Sequence, residues 1–219
     1  MPRLLFEKTG NAVWISHLDL MRVFQRAFKR AGLHLKHTQG YNPRPSVSIA
    51  LPLSVGVESK CELLDFELDN DAVTNDEILD KLNDTLVAGI RILEVYDMGK
   101  KIRDLSLLNC RIFLEYDRGV PESATDGLSK LFTTDSVVVP KKTKNGIQDQ
   151  NIVSMIKSIK IETISNNELC IDAVICCQNP TLNPMQIITA ITMYLPELQP
   201  DFSRCKRIEI LDSSGNVFR

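Results

Sequence analysis

No apolar run in this 219-residue chain approaches the roughly 18 to 20 residues that a membrane-spanning helix needs. Charge enters the opening residues, Met1-Pro2-Arg3-Leu4-Leu5-Phe6-Glu7-Lys8, too early for a secretory signal, so no membrane partner and a cytoplasmic protein are expected. There is no Walker loop, no G-x-G-x-x-G and no nucleophile elbow. The six cysteines (Cys61, Cys110, Cys170, Cys176, Cys177 and Cys205) contain no C-x-x-C and no three-cysteine cluster spacing. Neither a disulfide framework nor a bound metal or cluster is expected from them. Cys110 and Cys170 fall within apolar alternations, as buried thiols do, and no cofactor is expected. What remains is a well-cored globular composition, 43% hydrophobic and 25% charged, which excludes a disordered chain.

Net charge is small, at -2, but the charges are unevenly placed. Residues 1–50 carry eight Lys or Arg against two acids, while residues 51–100 carry four against twelve. All three histidines, His17, His34 and His37, lie in the basic block. Such a division points to an anion-facing side.

Hydrophobic periodicity orders the first half. Residues 3–8 read as a strand, Thr9-Gly10-Asn11 as a turn and 12–15 as a returning strand. Ser16 with Asp19 forms a capping-box pattern ahead of a helix, in which Leu20, Phe24, Ala27, Phe28 and Ala31 make one buried stripe. Gly32 ends it. Residues 33–36, 46–51 and 61–68 read as strands. Thr74 with Glu77 caps a second helix ending at Gly89, and 90–96 is a strand. Strand, helix, two strands, helix, strand is the split βαβ order.

The second half repeats that order with an insertion. Strand 109–116 precedes a helix at 121–132 and a strand at 136–139. A lysine-rich turn (Lys141, Lys142, Lys144, Asn145, Gly146) and a short helix near 152–156 follow. Next comes a hairpin, 159–164 with 168–176, turning at Asn166-Asn167 through the positive φ that asparagine tolerates. Asn183-Pro184 opens a helix to Tyr194, and 204–211 is the last strand. The expected fold is α+β, two tandem ferredoxin-like (split βαβ) modules with antiparallel sheets. They span 1–98 and 109–219, joined by a linker at 99–108. A single larger α+β sheet is the competing architecture.

Asp19, Arg22, Arg26 and Lys29 share one helix stripe opposite the buried one, flanked by Arg30. Cations spaced this way can track phosphates, though an ordinary solvated face with one Asp19–Arg22 pair explains the same spacing. In Tyr41-Asn42-Pro43-Arg44-Pro45, Asn42 and Arg44 each precede a proline and are driven out of the helical region. A stiff loop lowers the entropy lost when Tyr41 and Arg44 meet a ligand such as RNA. The alternative is a structural turn with Tyr41 covering a hydrophobic edge. His34 and His37, on a strand, would point to opposite faces and hold no metal. His17 and Tyr41 are the weak candidates for acid–base work.

The runs Lys8-Thr9-Gly10, Ile15-Ser16-His17-Leu18-Asp19-Leu20-Met21-Arg22 and Gln39-Gly40-Tyr41-Asn42-Pro43-Arg44-Pro45 carry a resemblance, together with Leu51-Pro52-Leu53-Ser54-Val55-Gly56-Val57-Glu58-Ser59. They resemble a bacterial radical-SAM-linked domain family of unknown function, over about the first third to half of the chain. The resemblance implies a radical SAM protein as partner. It also implies one surface containing Ser16, His17, Asp19, Arg22, Tyr41, Asn42, Pro43, Arg44 and Ser48. It brings no established activity.

Three functions follow as expectations. The first is a non-catalytic accessory module that binds RNA or another polyanion for a radical SAM partner. The second is a metal-independent endoribonuclease, since tandem ferredoxin-like modules resemble the enzymes that process CRISPR repeat RNA. The segment Asp212-Ser213-Ser214-Gly215-Asn216 is too poor in glycine for that group's RNA-binding loop. The third is a protein–protein scaffold acting through the acidic block. Whether the chain is an enzyme stays open, with the non-catalytic reading preferred.

Overall fold

Strand β1 (Arg3–Lys8) and helix α1 (His17–Arg30) supply the core of the first half, because their apolar side chains recur on one face of each. The computed structural model describes residues 2–70, 72–143 and 146–219. Lys144 and Asn145 of the expected lysine-rich turn lie outside the described residues. The chain divides into two compact units, 1–104 with 219, and 105–218. It is a mixed α+β protein with mostly antiparallel strand pairing.

In the first unit, β1, α1, β2 (Val47–Ile49), β3 (Val57–Phe66), α2 (Asn75–Asn83) and β4 (Ile90–Tyr96) follow one another. The sheet runs β4-β1-β3-β2. Leu4 and Phe6 face Leu20, Phe24, Ala27 and Phe28 across the core, together with Leu64 and Phe66. The Phe6 and Phe24 rings meet edge-on with centroids 4.7 Å apart, and Phe28 lies 5.1 Å from Phe66. Thr74 and Glu77 close a reciprocal capping box on α2. The opposite sheet face holds buried Arg3, whose Nε donates to Asp65 Oδ1 at 2.5 Å and Nη2 to Oδ2 at 3.1 Å.

Two expected strands of this unit are absent. Residues 10–14 form a 3-10 turn instead of pairing. The fully buried Lys8 is the reason: its ammonium donates to the carbonyls of Val13 at 3.0 Å and Ile15 at 2.8 Å, drawing them inward. Residues 33–37 make only isolated bridges, Leu35 opposite Leu68 and His37 opposite Pro45. Helix α2 ends at Asn83, six residues before Gly89, whose positive φ serves the turn into β4.

In the second unit, β5 (Leu105–Glu115) is followed by α3 (Ala124–Phe132) and the hairpin of β6 (Val138–Thr143) with β7 (Gly146–Asn151). Then come β8 (Ile156–Ser165), β9 (Glu168–Cys176), α4 (Met185–Tyr194) and β10 (Phe202–Asp212). The sheet runs β10-β5-β9-β8, so leaving out the β6–β7 insertion gives the same fourth-first-third-second order as the first unit. Strand β5 begins at Leu105, inside the segment expected to be linker, because Leu105, Leu107 and Leu108 are buried. The expected short helix near 152–156 is a single 3-10 turn at Val153–Met155. The β8–β9 turn needs no positive φ at Asn166 or Asn167. Asn167 is used through its amide, which donates to the Tyr116 carbonyl at 2.6 Å.

Among the described residues, no helix is long and apolar enough to cross a membrane.

Candidate functional site

Helix α1 begins with a charged cap. Ser16 Oγ accepts from the Asp19 N–H at 3.2 Å and donates to Asp19 Oδ2 at 2.7 Å. Arg22 Nη1 donates to Asp19 Oδ1 at 2.7 Å. The serine hydroxyl first, and Arg22 next, hold the Asp19 carboxyl below its ordinary range. Arg22 is therefore partnered within its own helix.

The ridge divides from there. Arg30 Nη2 donates to the Thr85 carbonyl at 2.7 Å, which ties the end of α1 to the turn after α2. Arg26 and Lys29 make no ion pair among the described residues, and both line a cleft of about 480 Å³. His34 and His37 line it too, over a floor that includes Phe28, Leu35 and Pro45. Among the described residues, Asp69 is the one acidic residue lining this cleft.

His34 and His37 line one cleft although they stand three residues apart. In a regular strand the period of two separates them. Here the segment changes partners midway: the Asp69 N–H donates to the His34 carbonyl at 2.9 Å, whereas the Ser46 N–H donates to that of Lys36 at 2.7 Å. Both residues line the cleft, on either side of that handover. Sequence reasoning missed them as site residues, although the density of Lys29, Arg30, His34, Lys36 and His37 within nine positions was a signal.

The proline loop is a pinned hairpin. The Thr38 N–H donates to the Arg44 carbonyl at 2.8 Å, and the Arg44 N–H returns to Thr38 Oγ1 at 3.0 Å. Between them Gly40 turns at φ +138°, and Tyr41 is fully exposed, so it covers no hydrophobic edge. Asn42 and the Arg44 side chain are exposed as well. The hairpin's base, His37 and Pro45, meets Arg26 and Lys29 at the cleft, while its tip stands clear.

Other expected members lie elsewhere. Ser48 pairs with Asp65, whose neighbours Leu64 and Phe66 face α1, so Ser48 is on the sheet face turned away from that helix. It does not share the surface of Arg26 and Lys29. His17 opens α1, nine to twelve residues before the cleft cations, or about 14 to 18 Å along the axis at 1.5 Å per residue. Its Nδ1 is buried without a hydrogen-bond partner among the described residues. Neither His17 nor Tyr41 lines the cleft. Among the described residues, no group of three or more His, Cys, Asp or Glu side chains is placed to hold a metal.

Of the acidic block, Asp69 lines the cleft, while three other acids are engaged away from the ridge. Asp65 pairs with Arg3, Glu77 caps α2 and Glu67 accepts from Ser46 at 3.2 Å. Chemically, the cleft offers two permanent positive charges, two imidazoles and an apolar floor, which suits an anion attached to an apolar or aromatic body.

No curated protein matches the chain. Among solved structures, the chain is similar to one from the "Crystal Structure of a Cbf5-Nop10-Gar1 Complex", at TM-score 0.50 and 9% identity, covering 95% of this chain and 48% of that one. A second, from the "Structure of H/ACA RNP bound to a substrate RNA containing 2'-deoxyuridine", gives TM-score 0.47 and 8% identity, covering 94% and 46%. The chain thus spans about half the length of these two, and at such identity the likeness concerns the fold alone. An unknown protein from Galdieria sulphuraria gives TM-score 0.27 at 10% identity, covering 94% and 96%. Residues 2–184 match the family described as "Uncharacterized protein conserved in bacteria (DUF2344)", and the chain belongs to that family.

Proposed function

We propose that this chain is a non-catalytic accessory module that binds RNA for a radical SAM partner in the cytoplasm, using the C-terminal half of α1 and the adjoining hairpin. The observation that carries the reading is the meeting of Arg26 and Lys29, which have no ion-pair partner among the described residues, with the base of the pinned hairpin. Unspent cations beside an exposed tyrosine and arginine are what a phosphate backbone with accessible bases requires. The radical SAM partner rests on the sequence resemblance. All six cysteines are buried, which supports placing any cluster chemistry on that partner. The repeated strand order supports reading each unit as a ferredoxin-like module.

The test is RNA binding by the intact chain across a salt series. Arg26→Ala and Lys29→Ala are each expected to weaken binding and to flatten the dependence of log K on log salt by about 0.7 units. Arg22→Ala, whose charge is already offset by Asp19, is expected to do less. Equal binding by all three variants and the parent overturns the assignment. Co-purification of a radical SAM protein from native lysate tests the partnership separately.

A further inference from the structure

We propose that the cleft between α1 and the hairpin base is a seat for one unpaired nucleotide, taking the base on its floor and the phosphate on its cationic rim. The inference rests on the RNA-binding reading and says what part of the RNA enters.

The shape of the site decides this. A helix ridge that only followed a duplex would need an open face of charge. What Arg26 and Lys29 border is instead a concavity of about 480 Å³, within the range of small-molecule sites. Its lining is apolar where Leu35 and Pro45 contribute, with Phe28 fully buried. Inorganic phosphate would leave that lining uncovered, and a purely apolar ligand would leave two cations with nothing to bind. A nucleotide satisfies both, because a flat heterocycle and an anion are held a sugar's length apart.

The charge fits as well. Two permanent positive charges against the carboxylate of Asp69 leave a surplus of one, which matches a single phosphodiester. His34 and His37 are exposed residues lining the same cleft, and an imidazole can stack on a base or donate to a phosphate oxygen. A base inside a duplex hides both of its faces, whereas an unpaired one presents them. The exposed Tyr41 and Arg44, on a hairpin that leaves the cleft through Pro45, are then placed to meet the next nucleotide of the strand.

The experiment uses the intact chain with four probes: uridine monophosphate, inorganic phosphate, a ten-nucleotide oligouridine and the same length of RNA as a blunt duplex. The readouts are the His34 and His37 imidazole resonances and competition against labelled oligouridine. The proposal expects the monophosphate to shift both imidazoles and to displace the oligomer, with phosphate failing at equal concentration. Oligouridine is expected to bind at least about tenfold tighter than the duplex, from the stacking of one base. The double variant His34→Ala with His37→Ala, at exposed positions that leave folding intact, should erase that preference. If both RNAs bind alike with steep salt dependence and the imidazoles do not move, the nucleotide seat is overturned while the polyanion reading survives. If no RNA binds at all, both fail. If the free monophosphate binds and the oligomer does not, the cleft takes a small molecule and the strand-binding proposal is wrong.

Discussion

Thr38 and Arg44 exchange two hydrogen bonds, the Thr38 N–H to the Arg44 carbonyl at 2.8 Å and the Arg44 N–H to Thr38 Oγ1 at 3.0 Å. This clasp closes the five residues between them and holds Tyr41 away from the protein. A tip so fixed has less freedom to lose on meeting a ligand.

Thr38→Val removes the side-chain acceptor and keeps the shape. We expect global stability to fall by no more than about 1 kcal/mol, the worth of one exposed hydrogen bond. RNA affinity should drop about threefold to tenfold as the hairpin loosens. Thr38→Ser restores both. Urea denaturation and filter binding on the three proteins check the split between stability and affinity.

Gly89 has no room for a side chain. Its φ is +87°, and a Cβ there would lie 2.4 Å from the Thr9 carbonyl oxygen and 2.9 Å from the Ala12 Cβ. Its own carbonyl accepts from the Thr9 N–H at 2.7 Å, so the two segments cannot separate freely. Gly89→Ala should cost more than the roughly 1–3 kcal/mol of an unfavourable φ alone. Gly32→Ala, at φ +71° with nothing within 4 Å of the added carbon, should cost only that strain. Chemical denaturation of the two variants gives the comparison, and equal losses would contradict it.

Tyr116 makes alkaline stability measurable. Burial pushes its phenol up to about 12, and its hydroxyl donates to the Leu198 carbonyl at 3.0 Å. The folded value is raised above the unfolded value of about 10, so the folded state favours the protonated form. This contribution is whole below about pH 10 and is lost as pH rises through about 12. Tyr116→Phe should lower neutral-pH stability by about 1 kcal/mol and remove that alkaline loss. An ultraviolet difference titration should show one tyrosine fewer ionising late.

Much of the scaffold was legible because its signals are local. The stripe of Leu20, Phe24, Ala27 and Phe28 follows from the helical period and is buried as expected. Ser16 and the Thr74–Glu77 pair stand at the helix starts that their side-chain chemistry specifies. Strand β4 occupies Ile90–Tyr96, the span its alternation marks. The candidate site was legible only in part: Arg26 and Lys29 could be placed on an exposed stripe, but the stripe could not show which of its cations would find partners.

The amino-acid sequence by itself determined which helix faces are apolar and where α1 and α2 start, since each depends on neighbours a few residues apart. Tertiary structure decided that buried Lys8 folds residues 10–14 into a turn, that Ser48 turns away from α1, and that His34 and His37 come to one cleft. These outcomes depend on hydrogen bonds between segments distant in the chain, such as Asp69 to His34, and no periodicity within either segment carries that choice.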